Sequence, residues 1–239
     1  MSTSETAWFS GSKGQALLQL ESALLVETLE DCFGWQTVQL GDRWDSRQLL
    51  QGARTRSQVL AAPMSSAADV QCRLVQLPIQ SDSVDCVVLP HTLEFEFDPY
   101  GVLREADRIL AGEGKLIALC FAPWSLWGLR AAISRSGFPP GVRQSFTERR
   151  LRDWMRLLGY DVLEARRYLF DSPWSEPLPV EGYRRRPSIL RLAPAGAVLI
   201  KARKRMHALT PLRPAFKSRA RAVLGGLQEP SSASRANRS

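Results

Sequence analysis

The clearest pattern of apolar and polar positions lies between Leu77 and Phe121. Asp85 to Pro90 encloses an unbroken apolar run, Cys86-Val87-Val88-Leu89, of the kind that a parallel sheet buries on both faces. A polar elbow carrying His91 and Glu94 follows. Asp98-Pro99 then opens a helix, because Asp is a favoured N-cap and Pro is tolerated at the first helical position. Val102, Leu103, Ala106, Ile109 and Leu110 supply its apolar face, and Arg104, Glu105, Asp107 and Arg108 mostly its wet one. Gly112-Glu113-Gly114 breaks the helix, and Lys115 to Phe121 reads as the next buried strand. Strand, helix and strand joined by short loops imply a right-handed parallel crossover, half of a doubly wound sheet. The elbow lies where such sheets place ligands.

The remainder of the chain extends this plan. Gln15 to Asp31 places Leu17, Leu18, Leu20, Leu24, Leu25 and Leu29 at mostly helical spacing, and Gly34 reads as its stop. Gln36 to Gly41 is a short β-rich run, and Ser46 to Gln51 reads as a second helix. Ser57 to Ala62 and Ala68 to Arg73 read as strands around a turn at 63–66. Thr147 caps a helix to Leu158 with Leu151, Trp154, Met155 and Leu158 on one side, and Gly159 ends it. Asp161 to Phe170 and Ala197 to Arg203 are the last two strands, separated by a proline-rich stretch. The predicted architecture is α/β: a doubly wound, mostly parallel, Rossmann-like sheet with helices on both faces, over residues 1–206.

Charge changes the picture at the C-terminus. The net charge of the 239 residues is +8. Residues 201–239 hold ten Lys or Arg against one acid, Glu229, which leaves 22 basic and 23 acidic residues in 1–200. Residues 207–239 therefore read as a basic tail, disordered by composition. Its cations and Arg184-Arg185-Arg186 could meet phosphate in nucleic acid or at a membrane surface. No nucleic-acid motif accompanies them, and a solvated tail is the simpler account.

The longest uncharged apolar stretch, between Lys115 and Arg130, is fourteen residues and contains Pro123, too short to span a bilayer. No secretory leader pattern is visible, so a cytoplasmic protein is expected. Cys32, Cys72, Cys86 and Cys120 form no CxxC pair and read as reduced core thiols. With only His91 and His207, a zinc site is not expected, and no metal is assigned.

The segment LPIQSDSVDCVVLPHTLEFEFDPYGVLREADRILAGEGKLIAL resembles the central block of class I S-adenosylmethionine-dependent methyltransferases of the type 11 kind. Leu77-Pro78-Ile79, Ser83 to Asp85, the His91–Glu94 elbow, Asp98-Pro99 and Gly112 to Gly114 match that family's block in order and spacing. Gly159-Tyr160-Asp161-Val162 resembles its late strand. The likeness covers roughly 36–206, is most specific over 77–170, and is closest to a bacterial subgroup with a degenerate glycine-rich loop. It implies S-adenosylmethionine as cofactor and methyl transfer to an acceptor that the sequence does not identify.

The front of the implied pocket departs from the family pattern. A D/E-x-G-x-G-x-G loop should follow the first strand, because the backbone must pass close to the cofactor there. Here Gln39 stands at the acid, Gly41 at the first glycine, Arg43 at the second and Asp45 at the third, with Asp42 between. Val59 to Ala62 lacks the acid that would bind ribose hydroxyls, and no acid precedes Leu77-Pro78.

The resemblance places Gln39, Gly41, Asp42, Arg43, Leu77, Pro78 and His91 at the cofactor. Arg43 could offer its carboxylate a charge-assisted bond. Methyl transfer needs an acceptor in line with the methyl group and, for a protonated acceptor, a base. His91 with Glu94 is the candidate, against the plain alternative that both only fasten the strand end. Trp124 and Trp127 could clamp an acceptor as a lid, or simply pack on the domain. The alternative function is a catalytically inactive binding or scaffold module on the same fold.

Overall fold

The structure is a computed structural model, and it describes residues 3–44, 47–63, 67–135, 137–175 and 194–206. Among them are seven strands: β1 (Phe33–Leu40), β2 (Arg54–Ala62), β3 (Val70–Gln71), β4 (Val84–Pro90), β5 (Leu110–Phe121), β6 (Tyr160–Tyr168) and β7 (Ala197–Lys204). Five α-helices accompany them: α1 (Thr3–Ser10), α2 (Ser12–Leu29), α3 (Pro99–Ile109), α4 (Leu126–Ile133) and α5 (Glu148–Leu157). The strand order is β3-β2-β1-β4-β5-β7-β6. β7 runs antiparallel to both its neighbours, and the other pairings are parallel. The order reverses between β1 and β4, so a crevice opens at their carboxyl ends.

Alternation along the central strands divides the core between two layers. Val87 and Leu89 of β4, Leu116 and Ala118 of β5 and Ile200 of β7 face α3 and α5. Cys86 and Val88, Ile117 and Leu119, and Leu199 face α2. Helix α3 begins as its sequence dictates: the Asp98 carboxylate accepts the Gly101 N–H at 2.8 Å, with Pro99 at the first position. Arg108 returns from α3 to the loop before β4, donating to the carbonyls of Leu77 and Ile79.

Several expected boundaries differ. Gly34 lies inside β1 at φ 145° and does not stop α2. A Cβ there would come within 2.2 Å of the Asp85 carboxyl carbon. Asp85 instead accepts the N–H groups of Trp35 and Gln36. The second expected helix is a single 3₁₀ turn, Gln48–Leu50, and the 68–73 strand shrinks to Val70–Gln71. β5 begins at Leu110, directly after α3. Its register against β4 jumps from Val84–Leu110 to Cys86–Lys115, so the expected glycine break is a bulge within the strand, with Glu113 at φ 65°. The sequence pattern predicts neither α1 nor α4. The Arg184–Arg186 cluster, most of the proline-rich stretch and the expected 207–239 tail lie outside the described residues.

Candidate functional site

Each charged side chain of the elbow after β4 is tied to the core. His91 is fully buried at φ 49°, and its backbone N–H donates to Leu119. Its Nδ1 lies 2.9 Å from Glu94 Oε1 and its Nε2 2.6 Å from Glu21 Oε1. Glu94 Oε1 also accepts the Phe121 N–H, and Glu21 Oε1 accepts the Tyr168 hydroxyl at 2.7 Å. Burial alone would lower the His91 pKa, but the two carboxylates outweigh it and push it up to about 9. At neutral pH the ring is an imidazolium donating from both nitrogens. Its face stacks on Phe121, centroids 3.9 Å apart. The Tyr168 hydroxyl and the Cys120 thiol, both against this network, are held well above their usual ranges, first by burial and then by the carboxylates.

Beside the elbow, β1 turns through Gly41 at φ 88°, a conformation that favours glycine. The Gly41 N–H donates to Ala61, and a Cβ at this position would come within 2.7 Å of Thr92 Oγ1. Thr92 in turn donates to the Leu40 carbonyl. Gln39 is buried, with Nε2 donating to the Gly41 carbonyl. The Arg43 guanidinium lies 4.0 Å from the Phe95 ring centroid. Burial lowers its pKa, and Glu5, Glu96, Glu94 and Asp42 act against that shift. Trp44 closes the edge, 6.2 Å from the His91 ring and 5.0 Å from Phe9, and donates to the Gly14 carbonyl.

This topology has counterparts. Residues 45–118 match a family model described as a methyltransferase domain. The fold is that of a class I methyltransferase domain. A chain from the complex between the Haloferax volcanii Trm112 methyltransferase activator and a methyltransferase superposes with a TM-score of 0.60 at 17% identity, covering 84% of this chain and 96% of that one. The Thermotoga maritima S-adenosylmethionine-dependent methyltransferase, described as a possible histamine N-methyltransferase, gives 0.54 at 22%, covering 86% and 100%. In sequence, Escherichia coli (strain K12) YafS is 38% identical over 121 residues, 50% of each protein. The chain thus spans about half the length of that curated relative.

The site offers a partial fit to S-adenosylmethionine. Gln39 Oε1, Glu21 Oε2 and Glu94 Oε2 are buried acceptors without a hydrogen-bond partner, and Arg43 Nε is a buried donor without one. Such atoms cost about 1–3 kcal/mol each unless an occupant satisfies them. An α-ammonium supplies donors and an α-carboxylate an acceptor, so this set suits the methionyl end. Carboxylates also outnumber cations here: Glu5, Asp42, Glu21, Glu94 and Glu96 against Arg43, His91 and Arg143. That excess suits a sulfonium. The ribose end fits less well. Ala61 and Ala62 end β2 without an acid, and nearby Asp69 is taken by the Leu60 N–H and Arg47.

The structure brings Gln39, Gly41, Asp42, Arg43, His91 and Glu94 together. It sets Leu77 and Pro78 against α3, where the Leu77 N–H donates to Glu105. The two candidate lid tryptophans part company. Trp127 is buried against Phe121, Phe138 and Trp8 and donates to the Asp171 carbonyl, whereas Trp124 is 81% exposed.

The residues that sequence reasoning missed are Glu21, Thr92, Trp44 and Tyr168. Glu21 had a signal: it lies four residues from both Leu17 and Leu25, on the apolar face of α2. A lone acid there requires a buried partner.

Proposed function

We propose that this protein is an S-adenosylmethionine-dependent methyltransferase. The observation that carries the proposal is the set of unsatisfied polar atoms at the carboxyl ends of β1 and β4, within a surplus of carboxylates. Bound there, the cofactor would supply an electrophilic methyl group. Arg43 would receive its carboxylate, Gln39 and the free oxygens of Glu21 and Glu94 its ammonium. His91 holds the elbow between α2 and β5, and with both ring nitrogens engaged by carboxylates it presents neither to an acceptor. The acceptor of this reading is therefore one that needs no base from His91. A cytoplasmic location belongs to the same reading, since the four free cysteines suit a reducing compartment.

Calorimetric titration with S-adenosylmethionine and S-adenosylhomocysteine tests it. Saturable binding is expected, weakened about tenfold or more by Arg43→Gln, the loss of one charge-assisted bond. No heat and no thermal shift at saturating ligand would end the reading. A second reading, a binding module without turnover, draws on the acid-free end of β2 and on Thr92 filling the space beside Gly41. It predicts binding without transfer of labelled methyl to any component of a cell extract.

A further inference from the structure

Helix α4 is inverted relative to an ordinary surface helix. Its inner side packs Trp127 on the core. Its outer side, where charge is usual, carries Leu126, Leu129 and Ile133 at positions i, i+3 and i+7, exposed by 46, 54 and 68%. Trp124 precedes the helix at 81% exposure, and Trp174 adds 52%. Scattered exposed apolar residues are ordinary, but five joined by one short helix and its flank form a patch.

The patch is held rigidly. Ser125 caps α4 by accepting the Gly128 N–H, and a Cβ on Gly128 would come within 1.9 Å of the Pro123 carbonyl oxygen. The turn that presents Trp124 is thus closely packed. Arg130 stacks 3.9 Å from the Phe138 centroid and 5.7 Å from that of Trp174, and donates to the Pro173 carbonyl. Its cation is fixed at the rim.

The segment that carries this face has charge of one sign. From Phe121 to Thr147 the chain has no Asp or Glu, and Arg130 lies on α4 with Arg135 just beyond its end. We propose that the outer face of α4, with Trp124 and Trp174, seats on an anionic lipid bilayer surface. Leu126, Leu129 and Ile133 enter the boundary between headgroups and acyl chains, the two indoles lie at headgroup level, and the arginines meet lipid phosphate. The contact is peripheral, since no helix among the described residues is long and apolar enough to cross a membrane. It is independent of the methyl-transfer reading.

The test uses the full chain with phosphatidylglycerol–phosphatidylcholine vesicles and with phosphatidylcholine alone. Co-sedimentation with the anionic vesicles is expected, with tryptophan emission quenched by brominated lipid. L129S/I133S should weaken partitioning about tenfold or more, since two buried aliphatic side chains are lost, without changing the thermal midpoint. Trp124→Ser should remove part of the quenching.

No binding to anionic vesicles would overturn the proposal. Binding that L129S/I133S leaves unchanged would also overturn it, because the basic C-terminal residues would then suffice. So would light scattering that shows a dimer converted to monomer by the same pair of substitutions, because the face would then serve a second copy of the chain.

Discussion

Two neighbouring regions of the sheet are built by different rules. The β4–α3–β5 block is specified by side chains: an apolar run, an Asp98 cap, an amphipathic face and an elbow whose His91 and Glu94 bond within the core. The β1–β2 edge is specified by backbone. Its turn rests on one glycine at φ 88°, and polar atoms of Gln39 and Arg43 lack partners. A block satisfied largely from within serves as scaffold, and the edge with unsatisfied atoms is where the proposed cofactor would find its partners. The elbow lies against both, and through Glu21 it also fastens α2 to the sheet.

The largest expected effect is on the elbow. Glu94→Ala removes the partner of His91 Nδ1 and of the Phe121 N–H together, leaving a buried cation short of one counter-charge. Breaking a buried pair in this way costs about 3–5 kcal/mol. Gln39→Ala, at the unsatisfied edge, removes one neutral hydrogen bond and should cost about 1 kcal/mol. Urea denaturation of the two variants measures the contrast. Equal losses would mean that the edge is as structural as the block.

The second effect is pH dependence. The folded pKa of His91 is raised to about 9 from an ordinary 6.5. Its stabilisation is therefore complete below about pH 6.5, where both states hold the proton. It is lost as pH rises towards 9, because the unfolded chain releases a proton that the folded one keeps. A difference of this size corresponds to on the order of 3 kcal/mol. Chemical denaturation at pH 6 and pH 9.5 should show the fall in the wild type and a much flatter profile in His91→Gln. Parallel profiles would show that the imidazolium does not set this dependence.

The block is largely legible in the sequence because its signals are local. Cap, periodicity and apolar run each act within a few residues, and Asp98, Val102 and Cys86–Leu89 fall where those signals put them. What escapes depends on long-range placement. In sequence, His91 and Glu94 read as a base with its neighbour or as ties for the strand end, and nothing local shows that Glu21, 70 positions away, joins them on the second ring nitrogen. Trp127 reads as a companion of Trp124, yet an unforeseen helix sends one inward and leaves the other exposed. Gly34 reads as a helix stop because its real constraint, the Asp85 carboxylate, arrives from another strand.

A smaller effect isolates the backbone rule at the edge. Gly41→Val forces a β-branched residue to φ 88° and drives its Cβ against Thr92. Strain of this kind costs about 1–3 kcal/mol. The same substitution should weaken cofactor binding beyond its cost in stability, because the turn places Asp42 and Arg43. Adding Thr92→Ala to Gly41→Val should recover part of the stability by relieving the contact. Calorimetry should show whether cofactor affinity returns with it.

The smallest effect lies at the start of α3. Asp98→Ala removes the side-chain acceptor for the Gly101 N–H, a loss of about 1 kcal/mol. The helix is also held by Arg108, which bonds the Leu77 and Ile79 carbonyls and pairs with Glu105, and by Pro99 at its first position. The substitution should therefore shift the urea midpoint slightly and leave ligand affinity unchanged. A change in affinity would show that the block reaches the ligand through α3, and the division between scaffold and open edge would have to be redrawn at Leu77-Pro78, where α3 meets the loop before β4.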